Sequence, residues 1–407
     1  MMEIMRSTRT RTSPRLRFIV PALFLALLPL SPLVPGAAPL GTEPASAKTP
    51  VLTLKPAGKG LKELDVPLGR RLRLPTPSGH RTGAMATSGY SMVGVTWKGH
   101  HAPAAILVRW RDGGSWQAWH RLPLQTDEPG GEEGSDRHGT QPVWTGRHKV
   151  IDVAVKGPHP GLTLTLMNTG PRQSTGAPAL PGATRGRLAR HRIKPWRLWT
   201  RAPYPRLYTR AQWGADPSWR NGSPRYNKVL KQIHVHHTAT ANGYSRGDVP
   251  GILRGIYRYH THSLGWFDIA YNFLIDRFGR IWVGRSGGAR RLVRGAHTLG
   301  FNQSSVGVAM IGNYNTTRPS KAAIRSLVRL AAWKLDAYHR NGAGKIKVWS
   351  SGSDKYGPGV GVVLPVIDGH RDTNDTECPG TALYKMLPTI RKRVWAREQA
   401  FNPKKKG

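Results

Sequence analysis

Gln232-Ile233-His234-Val235-His236-His237 alternates apolar and polar residues and reads as a strand, with Ile233 and Val235 on one face and His234 and His236 on the other. Beyond it, Val249 to His260 carries Val249, Ile252, Ile256 and Tyr259 at helical spacing. The same alternation of periods continues downstream. Tyr271–Ile275 and Arg280–Val283 read as strands around the turn Asp276-Arg277-Phe278-Gly279, and Val306–Ile311 as a buried strand. Ser320 is placed to cap a long helix with Ile324, Leu327, Val328, Ala331, Leu335 and Tyr338 on one stripe, stopped by Asn341-Gly342. Val362–Ile367 reads as a strand broken by Pro365, and a last helix carries Leu383, Leu387, Ile390 and Val394. Residues 201–395 are therefore expected to form an α/β domain.

Upstream the period changes. Between residues 64 and 168, short alternating runs recur: Tyr90–Trp97, Ala105–Trp110, Val150–Val155 and Leu162–Leu166, with turn signals such as Asp112-Gly113-Gly114 between them. This is the pattern of an all-β, sandwich-like domain. Trp110, Trp116, Trp119 and Trp144 are candidates for a sugar-stacking platform or for ordinary packing. Residues 171–200, basic and rich in Pro and Gly, read as a linker, and 396–407 as a basic tail.

The first 47 residues have the pattern of an export signal. A basic head (Arg6, Arg9, Arg11, Arg15, Arg17) precedes an apolar run from Phe18 to Val34, and Ala45-Ser46-Ala47 offers a small-residue cleavage site. A retained anchor is disfavoured by Pro21, Pro29 and Pro32 in that run. The expected location is secreted, at the cell wall. The formal charge of the chain is +40. Such a field attracts polyanions. For an exported protein these are anionic wall polymers or lipid headgroups. Nucleic acid is not expected, since no nucleic-acid motif accompanies the charge.

Cys378 is the single cysteine, so no intramolecular disulfide forms. A lone thiol outside the cell is open to oxidation unless it is buried or bonded. His370 lies upstream of it in Gly369-His370-Arg371-Asp372-Thr373-Asn374-Asp375-Thr376-Glu377-Cys378-Pro379-Gly380. That loop follows a strand and precedes a helix, so it can fold back and aim both side chains at one ion. Zinc accepts both imidazole nitrogen and thiolate. A third ligand would come from His234, His236 or His237. Two His and one Cys leave the fourth tetrahedral position open for water, whose pKa the ion lowers. Spacing alone does not separate this from chance among 16 histidines.

The segments Arg210–Asp216, Val235–Thr238, Asp268–Ile275, Gly295–His297, Ser305–Val308 and Gly369–Gly380 resemble, in order and spacing, the peptidoglycan recognition proteins or type 2 N-acetylmuramoyl-L-alanine amidases. The likeness runs from about Tyr208 to Arg391, and the β-domain, linker and catalytic domain resemble the arrangement of secreted actinobacterial members. It implies a mixed, mainly parallel central sheet flanked by helices, with Zn2+ in a surface groove. The ligands it implies are His236, His370 and Cys378. Tyr271 matches the tyrosine beside the metal, where it would donate to a developing oxyanion. Thr376 matches a position that assists catalysis, and His237 and His297 are candidates for binding substrate. The partner implied is peptidoglycan, and the reaction is hydrolysis of the amide between N-acetylmuramic acid and L-alanine. Val283 and Ala309 stand where relatives carry Glu, so no carboxylate base is evident, and the direction of Glu377 is not given by the sequence. The rival reading is a non-catalytic peptidoglycan-binding protein. Relatives of that kind typically lack the Cys. The β-domain is expected to target or position the enzyme and to do no chemistry.

Overall fold

The computed structural model describes residues 50–99, 101–129, 133–157, 161–171 and 201–401. The expected export signal, residues 172–200 of the linker and residues 402–407 of the tail lie outside these. No described helix is long and apolar enough to cross a membrane.

In the C-terminal domain six strands form one sheet in the order Leu207–Tyr208, Ile281–Val283, Phe273–Ile275, Ser305–Met310, Gln232–His237, Ile367–Gly369. Every neighbouring pair is parallel except Phe273–Ile275 with Ile281–Val283, which the tight turn at Asp276–Gly279 joins as a hairpin. This is the mixed, mainly parallel sheet that the family resemblance implies. One face packs Ile233, Val235, Val306, Val308 and Ile367 against the helices Lys321–Ala337 and Leu387–Phe401. Ser320 caps the first of these by accepting from the Ala323 amide. Its stripe of Ile324, Leu327, Val328, Ala331 and Leu335 is buried, each large side chain worth ~1.5–3 kcal/mol. The opposite face packs Leu274, Ala309 and Ile311 with Ile252, Leu253 and Ile256 of the helix Val249–Arg258.

Several boundaries differ from the sequence reading. The long helix ends at Ala337, ahead of Asn341-Gly342, because His339 takes a left-handed conformation (φ 56°) and turns the chain. The expected strand Val362–Ile367 is two strands. Gly361–Pro365 pairs with Lys345–Trp349 in a separate hairpin, and only Ile367–Gly369 joins the main sheet. Pro365 has no N–H to continue the ladder. The last helix runs to Phe401, past the boundary expected at 395, while Leu383 sits in its own short helix, Thr381–Tyr384.

The N-terminal domain is all β, with its named strands paired antiparallel in an eleven-stranded sheet that begins at Lys55, earlier than expected. Trp110 and Trp144 are buried in packing. The Arg109 guanidinium lies 4.5 Å from the ring centres of both Trp116 and Trp119. The four tryptophans therefore do not form one open stacking surface.

The two domains share a core. Leu61, Met92, Trp144 and Met167 of the β-domain cluster with Ile252, Ile256, Tyr257 and Tyr259 of the α/β domain. Glycines permit this approach: a Cβ on Gly255 would stand 2.7 Å from the Met92 sulfur, and one on Gly94 would stand 2.4 Å from the Tyr259 ring. Tyr259 Oη donates to the Val95 carbonyl (3.1 Å), and Arg258 pairs with Glu63 at 2.5 Å.

Candidate metal centre

The site lies at the carboxyl ends of the parallel strands, where open α/β sheets place ligands. Register assembles it. Val235 pairs with Val308 on one side and with Gly369 on the other, so His236 and His370 leave neighbouring strands side by side. After His370 the loop turns back, because the Arg371 amide donates to the Cys378 carbonyl (2.9 Å) and Gly369 N donates to Asp372 Oδ2 (2.8 Å). Asp354 ties down the loop's middle by accepting from Asn374 Nδ2 and Asp375 N, both at 2.9 Å. Cys378 thereby returns to His236. Its sulfur lies 3.7 Å from His236 Nδ1 and accepts from the His237 amide at 3.4 Å.

Donor atoms of His236, His370 and Cys378 all lie within 4.8 Å of one another, and all three residues are buried. Both ring nitrogens of His370 lack a hydrogen-bond partner. A buried polar atom left unpaired costs roughly 1–3 kcal/mol, so the His370 ring beside His236 and Cys378 fits an ion better than it fits a packed core. Burial, then His236, pushes the His370 imidazole down to about 3, and burial, then His234, holds His236 well below its usual range. Both rings are therefore neutral and have a lone pair to give. Burial, then the nearby Asp127, pushes the Cys378 thiol up. A thiolate here needs a cation.

His234 shares a face with His236 and does something else. Its Nδ1 is 2.5 Å from Asp368 Oδ1, and Gln232 Nε2 donates to the other oxygen of that carboxylate at 2.9 Å. His297 is fully buried behind His236 rather than in the groove. Its Nδ1 is 3.2 Å from His236 Nε2 and 2.8 Å from Thr298 Oγ1. Gly307 makes space for it, since a Cβ there would come within 2.3 Å of the His297 ring. His297 thus fixes the orientation of the His236 ring.

His237, Thr376, Glu377 and Cys378 line a cavity of about 460 Å3, together with Asn313 and Asn315. Thr376 Oγ1 accepts from the Cys378 amide (3.2 Å), so it braces the ligand loop. Glu377 accepts from Asn315 Nδ2 at 3.0 Å. Ala309 pairs with His236 across the sheet. Tyr271 is buried beside His236, the two ring centres 5.4 Å apart. Its hydroxyl donates to Asp127 Oδ2 at 2.5 Å. Burial, then Asp127, pushes the phenol up, so it stays protonated and able to donate.

Asp127 belongs to the β-domain, and the sequence reading missed it. Its carboxylate is fully buried beside His236 and His370, so the β-domain contributes a side chain to the surroundings of the site. A signal was present. Asp127, Glu128, Glu132 and Glu133 concentrate acid in one short stretch of a chain with 62 Lys and Arg against 22 Asp and Glu.

Comparison with known proteins gives the family. Residues 225–381 match the N-acetylmuramoyl-L-alanine amidase family model. Residues 42–182 match a model described as an N-terminal galactose-binding domain-like module. Peptidoglycan-recognition protein SC2 of Drosophila simulans is 30% identical over 183 residues, covering 45% of this chain and 85% of that protein. Human N-acetylmuramoyl-L-alanine amidase is 31% identical over 192 residues, which cover 46% of this chain and 28% of that longer protein. Among solved structures, Drosophila PGRP-LB is similar at 28% identity, covering 48% of this chain and 98% of that one, with a TM-score of 0.37. The chain belongs to the family of peptidoglycan recognition proteins and N-acetylmuramoyl-L-alanine amidases.

Proposed function

We propose that the protein is an exported, zinc-dependent amidase that hydrolyses the bond between N-acetylmuramic acid and the L-alanine of the stem peptide. The convergence of His236, His370 and Cys378 on one buried point carries this reading. Two imidazoles and a thiolate form a donor set suited to zinc, and binding-only relatives typically lack the Cys. A zinc ion held there supplies Lewis acidity toward the scissile carbonyl.

The remaining work belongs to the chain. Tyr271 Oη, already aimed at an acceptor oxygen, donates to the oxyanion that develops as the amide is attacked. His297 keeps the His236 ring turned so that Nδ1 faces the site. Thr376 Oγ1 spends its lone pair on the Cys378 amide and leaves its proton free to donate into the cavity. Asn313, Asn315 and His237 line the space into which a stem peptide would run. The charge of +40 supports electrostatic adsorption to anionic wall polymers. The basic head and apolar run of residues 1–47 support export.

The test is zinc stoichiometry of the purified full chain together with its action on defined muropeptides. The expected result is one zinc per chain and release of intact stem peptide with a free L-alanine amine. Bound zinc with affinity for muropeptide but no cleavage would leave the binding-protein reading in its place.

A further inference from the structure

Two cavities of the β-domain run into one another. One, of about 870 Å3, is lined by Arg70, Arg71 and Arg73, with the buried Met85 and Leu162 also in its wall. The other, of about 370 Å3, is lined by Lys98 and Arg137 and reaches Ser263 of the α/β domain. Pro67 and Thr163 stand in the walls of both, so the two make one elongated groove. Among the described residues it shares none of its lining with the cavity at Cys378.

The groove is one-sided in charge. Against its five cations, Asp65 is the one carboxylate among the described lining residues, and it already accepts from Thr165 Oγ1 at 2.7 Å. Lys98 has a loose partner in the exposed Asp136, 3.7 Å away. Arg137 donates to the carbonyls of His262 and Ser263 at 3.4 and 3.3 Å, bonds that leave its charge uncompensated. Arg70, Arg71 and Arg73 are exposed, and none of them pairs with a carboxylate among the described residues. Their turn is nevertheless held in shape. Leu68 is buried, its amide donates to the Leu162 carbonyl at 2.8 Å, and its carbonyl accepts from the amides of Arg71 (2.8 Å) and Leu72 (3.0 Å). Arg73 Nε donates to the Arg70 carbonyl at 2.6 Å.

Shape and charge together select the ligand. An elongated groove takes a linear chain, and unpaired guanidinium groups take its anions, since their planar fork matches two oxygens sharing one charge. Arg70 and Arg73 are three residues apart, so their Cα atoms lie within roughly 11 Å even at full extension. Cations this dense are matched by a polymer with an anion in every short repeat. We infer that this groove binds a linear chain of phosphodiesters and thereby tethers the protein to the wall through its β-domain. The inference rests on the reading above that anionic wall polymers draw the protein by charge. It adds a place and a chemistry to that attraction.

The experiment titrates the full chain with a synthetic glycerol phosphate oligomer by calorimetry at several salt concentrations. The groove variant combines Arg70→Gln, Arg71→Gln and Arg73→Gln. The control combines Arg325→Gln, Lys392→Gln and Arg393→Gln, which removes the same charge from exposed helix positions. The groove variant should lose tenfold or more in affinity, and its salt slope should fall by about 2, as release of fewer counterions requires. The control should stay within about threefold of wild type. Arg71→Gln alone guards against a folding defect in the triple variant and should lose part of the affinity with unchanged thermal unfolding. Equal losses in the two triple variants would reduce the groove to a share of the general field and overturn the assignment. Hyaluronate, with one carboxylate per disaccharide, should bind more weakly at matched charge, and equal binding would overturn the phosphodiester chemistry. Wild type that adsorbs to purified walls in a salt-dependent way but ignores the oligomer would keep the charge reading and sink the groove. Adsorption that ignores salt would remove both. Binding is read without hydrolysis, so a missing amidase activity would leave the groove standing.

Discussion

His234 and His236 stand two residues apart on one face of one strand, and each faces a buried aspartate. His234 and Asp368 are at hydrogen-bond distance, 2.5 Å, and Gln232 completes the carboxylate. His236 and Asp127 are 3.3 Å apart with no hydrogen bond between them, and the sulfur of Cys378 and the ring of His370 face the same gap. The residue types are the same and the burial is the same. The difference is that the first pair hydrogen-bonds and the second does not. The first pair is a structural contact inside the sheet's core. The second brings side chains of two domains together around His236.

The sharpest way to break this comparison is to remove one metal-facing donor. His236→Ala or Cys378→Ser should abolish stoichiometric zinc, read by mass spectrometry of the native protein, and cleavage should fall with it. His234→Ala should retain zinc. If the two histidine variants exchanged phenotypes, the register of the site would be wrong.

The next effect is on chemistry alone. Tyr271→Phe should lower turnover by roughly 10²–10³ with zinc content unchanged. A variant that lost metal as well would make Tyr271 part of the coordination network rather than an oxyanion donor. His297→Ala comes third. It removes the nearer partner of His236 Nε2, leaving Thr298 Oγ1 at 3.5 Å, and should weaken metal affinity ~10–100-fold, measured by competition with a chelating dye. An unchanged affinity would make His297 packing only. The smallest effect belongs to the structural pair. His234→Ala leaves Asp368 without its imidazole and should cost about 1–3 kcal/mol of stability in denaturant unfolding, with the metal site intact.

Much of the α/β domain was legible because its signals are local. Alternation marked Gln232–His237, helical spacing and Ser320 marked the long helix, and the order of the quoted segments marked the family. The reading weakened where chain neighbours belong to different sheets. Val362–Ile367 reads as one apolar run, yet Pro365 divides it between two sheets, and Lys345–Trp349 carried no pattern strong enough to be noticed. The tryptophans of the β-domain showed the same limit. Composition made them a possible platform, and packing gave Trp116 and Trp119 to Arg109.

For the site, sequence by itself determined which residue types were available and which segment carried each: His236 at a strand end, and His370 and Cys378 on one loop. Periodicity placed His234 and His236 on the same face and could go no further, since a period of two treats them alike. The family resemblance chose His236, and the tertiary structure supplied the physical reason, setting Asp368 against His234 and Cys378 and His370 against His236. Only the tertiary structure brought in Asp127, which lies more than a hundred residues upstream in another domain. Local patterns encode the direction in which a side chain leaves its own backbone. Which partner it meets depends on how two domains close over a shared core, and that contact has no period in the sequence.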